Sequence, residues 1–348
     1  FTVSYDDHEY NESIYAKEIS NILGLKNHKI NISKKEIINT IPILTEIYSE
    51  PFSDSSQIPT FLICKKIKEH ATVAIGGDGG DELFGGYNRY LYYNRYKNYI
   101  NFTPKSLKRL FIKMCNTEKM KFLINPLLNL LINEETLNKD QRNYKIIQKL
   151  KQLTDNKSFY ESMINQNLPY NFFHSNINNL EKSNIMIDFD DYNNNFEQQM
   201  MNNDLKYYLP DDILCKVDRA SMYSSLEVRS PFLSKDLIEY SQKIPINFKI
   251  NNGISKYIIK KILEKYLPNN LIYRPKHGFA VPIKKMIKNE LKDWTNDLLS
   301  KKIIEKFDIL NYPVVKKIFE DHTDNKNNNE HILWSIIQLN QWLLNESK

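Results

Sequence analysis

Between Val73 and Tyr87 the chain reads Val-Ala-Ile-Gly-Gly-Asp-Gly-Gly-Asp-Glu-Leu-Phe-Gly-Gly-Tyr, and six of its nine glycines fall there. Asp78, Asp81 and Glu82 offer hard oxygen ligands of the kind Mg²⁺ takes, and the backbone N–H groups of such a loop can face phosphate oxygens. The alternate-position oxygen spacing of an EF-hand is not present. The apolar run Thr72 to Ile75 predicts a buried strand, and the glycines permit a sharp loop at its end. Ligands of open α/β sheets bind at the carboxyl ends of strands, so chemistry is expected at this loop.

The elements that must position the loop alternate. Phe1–Tyr5 reads as a strand ending in Asp6-Asp7. Asn11 can cap a helix through Ile14, Ile19, Ile22 and Leu23, stopped at Gly24. Lys29–Ile32 alternates like a short strand. Ser33 then caps a helix through Ile37, Ile38, Ile41 and Leu44, interrupted by Pro42. A further helix runs from about Ile58 to Glu69. Strands alternating with such helices predict βαβ units and a parallel sheet. Beyond Tyr87 the pattern is helical alone, with an Asn-rich aperiodic stretch at 166–194. The layout is a small α/β front (1–95) followed by a mainly helical body (96–348).

Composition narrows the function classes. The 348 residues carry 48 Lys and Arg against 42 Asp and Glu, spread along the chain, so a nucleic-acid partner is not suggested. Three well-separated cysteines (Cys64, Cys115, Cys215) build neither a disulfide framework nor a zinc pattern and fit a reducing cytoplasm. No run is long enough for a transmembrane helix, and the mean hydropathy is −0.54. The chain opens on a strand with Phe1, not Met, so a preceding segment is expected.

Several passages together resemble one family. They are Glu50-Pro51-Phe52-Ser53-Asp54-Ser55-Ser56-Gln57-Ile58-Pro59-Thr60 and the loop Gly76–Tyr90. After them come Tyr208-Leu209-Pro210-Asp211-Asp212-Ile213-Leu214, Lys216-Val217-Asp218-Arg219-Ala220-Ser221-Met222, Ser225–Leu233 and Arg274-Pro275-Lys276-His277-Gly278-Phe279. In this order they resemble the synthetase domain of glutamine-hydrolysing asparagine synthetases, over about Phe1 to Trp294. The resemblance implies a parallel sheet of the adenine nucleotide alpha-hydrolase-like type followed by a large all-helical region. It also implies a chemistry: a carboxylate, usually aspartate, attacks the α-phosphate of ATP, and ammonia from glutamine displaces AMP from the acyl-adenylate.

Residue by residue, the resemblance implies that Gly76 and Gly77 contact the nucleotide through their backbone and that Val3 lines the adenine pocket. Asp81 would be a Mg²⁺ ligand, with Glu82 behind it. Asp78 stands where the family has a glutamate acting at the acyl-adenylate or amination step, one methylene shorter in reach. Lys276 would contact phosphates and the charge of the intermediate, with Lys256 and Arg274 as further candidates for that field. Asp211 and Asp212 lie near an acid that assists amination in relatives, or form a helix-capping pair. Asp54-Ser55-Ser56 falls on a loop nearer the substrate. Glu227 and Arg229 are expected to form a structural ion pair, and His277 to be a solvated loop residue.

Two expected parts are missing from these 348 residues. One is the family's Ser-Gly-Gly-x-Asp-Ser loop, which grips pyrophosphate and adds a second metal ligand. The other is the N-terminal glutaminase domain with its cysteine nucleophile, expected upstream. The expectation is therefore a fragment that is catalytically incompetent alone, or nearly so. Rival readings are amidation of a sugar acid or other carboxylate, ring closure of the β-lactam synthetase kind, and a non-catalytic binding remnant. A homodimer is compatible with each.

Overall fold

A computed structural model of the chain describes residues 1–5, 13–104, 106–108, 154–166, 168–169, 171–174, 195–274 and 281–347. Lys276, His277, Asp6, Asp7, Asn11 and Cys115 lie outside the described residues, as does most of the Asn-rich stretch. Strand β1 (Thr2–Tyr5) pairs in parallel with β2 (Lys29–Ile32), Val3 opposite Ile30. Helix α1 (Ser13–Ile22) makes the crossover and ends before Gly24, whose φ of 64° stops it.

After β2, Ser33 closes a full capping box. Its hydroxyl accepts the N–H of Glu36, whose carboxylate accepts the N–H of Ser33. Helix α2 (Lys34–Thr40) then tightens into a 3₁₀ turn over Ile41–Ile43, where Pro42 cannot donate, and resumes as α3 (Leu44–Tyr48). Helix α4 (Gln57–Lys68) buries Ile58, Phe61, Leu62, Cys64 and Ile67 before the chain enters β3 (Val73–Ile75).

Two features depart from the sequence reading. The run before the glycines is not a buried strand. Ala74 packs toward the core, but Val73 is 39% and Ile75 78% exposed. The strand is three residues long and, among the described residues, paired along one edge; its Ala74 face packs on the core and its Val73 and Ile75 face does not. The second departure is its partner, β4 (Glu227–Arg229), a parallel strand in the part expected to be all helix. Three residues are too few to carry a period, and their partner lies far back in the sequence. The Glu227–Arg229 ion pair is present, at 2.7 Å and exposed.

The rest is helical. Short helix α5 (Gly80–Phe84) and longer α6 (Asn88–Phe102) follow the glycine loop. Later come α7 (Asn156–Ile164), α8 (Phe196–Asn203), a π-helical segment (Asp204–Leu214) containing Pro210, and α9 (Cys215–Tyr223). Short helices fill 235–307 among the described residues, and Tyr312–Thr323 and Glu330–Glu346 close the chain. One core cluster joins both strand pairs to α2–α4 and to the final helix through Val3, Ile32, Ile58, Leu226 and Trp334. The chain is thus mostly helical with two small parallel sheets.

A buried polar knot ties the helices behind the loop. Asp204 is fully buried and accepts hydrogen bonds from Tyr90, from Tyr160 at 2.7 Å and from Arg89 Nε at 2.8 Å. The Arg89 guanidinium lies 4.3 Å from the Tyr87 ring centroid and 4.7 Å from that of Tyr208. These contacts bring α6, α7 and the π segment together directly after the loop.

Candidate active site

Backbone geometry explains the loop's glycines. Gly76 extends the parallel ladder, its N–H donating to Arg229 O at 2.8 Å, and the carboxylate of Asp78 folds back over it. A Cβ on Gly76 would stand 2.9 Å from Asp78 Oδ2. Gly79 has φ of 87° and touches Leu233, from the turn that follows β4; a Cβ there would meet that side chain at 2.3 Å. Gly77 has open space where a side chain would be, so its backbone can be approached.

The three acids that share this loop have different surroundings. Asp78 accepts a hydrogen bond from the Ser230 hydroxyl at 3.3 Å. Burial pushes its carboxyl above the usual range, while Ser230 and the charge of Lys216 pull the other way. Asp81 lies partly exposed against Gly86, with Lys256 Nζ at 3.1 Å from its Oδ1. Glu82 turns inward. It is 2% exposed, accepts the Tyr87 hydroxyl at 2.5 Å, and is raised chiefly by burial. Asp78 and Asp81 are therefore half-buried, Asp78 held by Ser230 and Asp81 by Lys256, whereas Glu82 lies inside the protein.

Val3 is 8% exposed, and its side chain belongs to the main core. Gly76, Gly77, Asp78 and Asp81 are brought together at the ends of β3 and β4, and Lys256 joins them from the left-handed residue preceding the helix Tyr257–Leu263. Arg274 lies at the edge of the described residues, its guanidinium 4.9 Å from the Tyr15 ring centroid.

No group of three or more His, Cys, Asp or Glu among the described residues is arranged to hold a metal ion. A single carboxylate is nonetheless the protein's usual share for Mg²⁺ that arrives on nucleotide phosphates. Asp81 fits that case, being partly exposed.

A second constellation lies beside the loop, and sequence reasoning gave it little weight. Lys216, buried on α9, donates to Asp54 Oδ2 at 2.5 Å. Asp54 also accepts the Ser56 N–H at 2.9 Å and the Ser56 hydroxyl at 2.7 Å. Burial alone would raise the Asp54 carboxyl, but Lys216 and Ser56 outweigh it and hold it below the usual range. Asp212 lies in the π segment, not at a helix cap. Burial and the neighbouring Asp54 push its carboxyl up to about 7, against the pull of Lys216. Asp54 and Asp212 both line a cavity of about 580 Å³ that also includes Tyr208 and His331. The signal in the sequence was the run Lys216–Met222, which carries resemblance but gives no hint that Lys216 meets Asp54.

The glycine loop, its acids and the passages around β4 and α9 all fall within one family match. The asparagine synthase family model matches residues 1–344. The chain belongs to the asparagine synthase family. It is similar to asparagine synthetase [glutamine-hydrolyzing] 1 of Bacillus subtilis, 29% identical over 342 residues, 98% of this chain and 51% of that protein. A Mycobacterium bovis protein, provisionally named as a glutamine-hydrolysing asparagine synthetase, is 24% identical over 348 residues, again 98% of this chain and 50% of its own length. Asparagine synthetase [glutamine-hydrolyzing] 3 of B. subtilis is 22% identical over 288 residues, 83% of this chain and 39% of that protein. The chain spans about half the length of the first two relatives.

Proposed function

We propose that the chain carries the synthetase chemistry of an ATP-dependent amide ligase. A carboxylate, L-aspartate by the family's example, is adenylated with loss of pyrophosphate, and ammonia derived from glutamine then displaces AMP to give asparagine. The observation that carries this reading is the placement of Gly76, Gly77, Asp78 and Asp81 together at the carboxyl ends of two parallel strands, within a family match over the chain. A sheet of the adenine nucleotide alpha-hydrolase-like type is part of the same proposal, as are a glutaminase partner domain and a cytoplasmic setting.

The open backbone of Gly77 suits close approach by the nucleotide phosphates, and Val3 would act from its strand at the adenine side. Asp81 would hold Mg²⁺, which when bound neutralises phosphate charge. Lys256 stands ready to face the phosphates, and Lys276 is assigned the same field by its motif. Asp78, whose carboxyl burial raises, would take part in proton exchange at the amination step. No Ser-Gly-Gly-x-Asp-Ser sequence occurs in the 348 residues, so slow turnover by this chain alone belongs to the proposal.

The test combines Mg·ATP binding with carboxylate-dependent ATP–pyrophosphate exchange, using L-aspartate, a uronic acid and no acid. Binding that is lost in Asp81→Asn, with any exchange depending on aspartate, is expected. Exchange driven by the uronic acid would transfer the reading to another carboxylate. Absence of Mg·ATP binding to folded protein would remove it.

A further inference from the structure

A smaller cavity, of about 220 Å³, lies between β2, α2 and α4 and shares no residue with the glycine loop or with the cavity beside it. We propose that it binds a small aryl carboxylate, with the ring in the cavity and the carboxylate on Lys65 at its mouth. The proposal goes beyond amide synthesis and does not rest on it.

The local sequence makes the space. Helix α4 packs against both β2 and α2. Ile30, Asn31 and Ile32 all line the cavity, although successive side chains of a strand point to opposite faces. The cavity therefore meets β2 along its edge, on the side that β1 does not pair. Ile43 joins the lining from the 3₁₀ turn at Pro42, and Phe61 and Leu62 join it from α4. The Phe61 ring stands edge-on to Tyr223, centroids 5.8 Å apart, a contact that must break before Phe61 can move into the space. An apolar cavity of about 150 Å³ accepts benzene. The volume here, about 220 Å³, leaves room for a ring and a short polar arm.

Charge selects the arm. The lining carries Lys65 and Lys66 against a single acid, Glu36. The Glu36 carboxylate is already engaged, accepting the N–H of Ser33 at 2.9 Å and its hydroxyl at 2.7 Å. Those bonds first, and Lys66 and Lys65 after them, hold its carboxyl below the usual range. Lys66 reaches Glu69 at 3.3 Å. Lys65 has neither an ion pair nor a hydrogen bond among the described residues, and the Asn39 amide in the same lining has no hydrogen bond there. A carboxylate at the mouth thus finds a cation and an amide donor, whereas an amine of the same shape meets two lysines. An exposed lysine alone gives little affinity, so head and ring must act together.

Four probes separate the contributions: phenylacetate, its neutral amide phenylacetamide, the cation phenethylamine, and acetate, which lacks the ring. Ligand-observed NMR and calorimetry on the folded chain measure each affinity. Phenylacetate should bind saturably with a Kd of about 1 mM or below. It should bind roughly fivefold more tightly than phenylacetamide, and acetate and phenethylamine should not bind at that concentration. Lys65→Met should bring phenylacetate down to the affinity of the amide, and Lys65→Arg should keep it. Ile43→Trp, which fills the space, should abolish binding of both. Excess Mg·ATP or L-aspartate should displace neither. Circular dichroism confirms the fold of each variant.

No saturable binding of phenylacetate would overturn the proposal, as would equal binding of the amide or the amine. Displacement by Mg·ATP or L-aspartate would move the ligand to the other cavity and overturn it too. So would a phenylacetate affinity unchanged in Lys65→Met, an exposed substitution that leaves the core intact.

Discussion

Lys256 and Asp81 meet at 3.1 Å across 175 residues of chain, with about a third and a quarter of their side chains exposed. An ion pair this accessible contributes little to stability, about 1 kcal/mol at most. Its position on the glycine loop fits a charge kept for a ligand. Lys256→Met should therefore leave the melting temperature within roughly 3 °C of wild type. Mg·ATP binding should weaken by about tenfold, the loss of one phosphate-facing cation. A large drop in stability with unchanged nucleotide binding would make the pair structural.

Gly86 offers a way to move Asp81 without replacing it. A Cβ at this position would stand 1.8 Å from Asp81 Oδ1 and 2.3 Å from Lys256 Cε, so the carboxylate must shift. Gly86→Ala should reproduce the nucleotide-binding loss of Asp81→Asn, read by titration with Mg·ATP. Normal binding would show that the position of Asp81 is not critical.

The Asp204 knot should govern stability. Replacing Asp204 by Ala leaves Arg89 buried without its anion and two tyrosine hydroxyls without their acceptor. Losing one partner of a buried pair typically costs about 3–5 kcal/mol. Chemical denaturation of Asp204→Ala should show a loss of that order, with Tyr160→Phe losing only about 1 kcal/mol. Equal effects would mean that the charge contributes little.

Asp212 sets a pH dependence of known sign. Its folded carboxyl is raised from 3.8 to about 7, so the folded form binds the proton more tightly than the unfolded chain. That contribution is present below pH 4 and is lost as pH rises through 7. Asp212→Asn should match wild type near pH 4 and melt higher at pH 8, by roughly 2–6 °C. A constant difference across that range would assign the titration to another group.

Lys249 provides the complementary case. It is fully buried, donates to Gln198 at 2.9 Å, and is pushed down by burial to about 8 from 10.5. Between those values the unfolded chain holds more protons, so stability should rise with pH across this window. Lys249→Met should flatten that rise in melting temperature between pH 8 and 10.5. A rise of the same size in the variant would exclude Lys249 as its source.

Several elements of the first ninety residues were legible because their signals are local. The bounds of β2, the Ser33 cap and the break at Pro42 each follow from residues within one turn of the event. The glycine loop carried a structural signal, since Gly79 holds a φ of 87° and a Cβ at Gly76 or Gly79 would crowd the Asp78 or Leu233 side chain. What escaped was non-local. Strand β4 is specified by pairing with β3, and the exposure of Ile75 by how little covers that pair. Lys216 and Asp54 are 162 residues apart, and no periodicity joins them. The π-helical segment places Asp212 in the cavity by a local widening that a 3.6-residue pattern does not anticipate.

The short pair β3 and β4 has a practical consequence for anyone handling this chain. Among the described residues β3 presents one unpaired edge, and Val73 and Ile75 give its outer face an oily stripe. An edge of this kind is a template for a strand from a neighbouring molecule. Concentrated preparations should self-associate through it, and a single lysine at position 75 should keep them dispersed. The strand that leads into the glycine loop is thus also an exposed apolar seam.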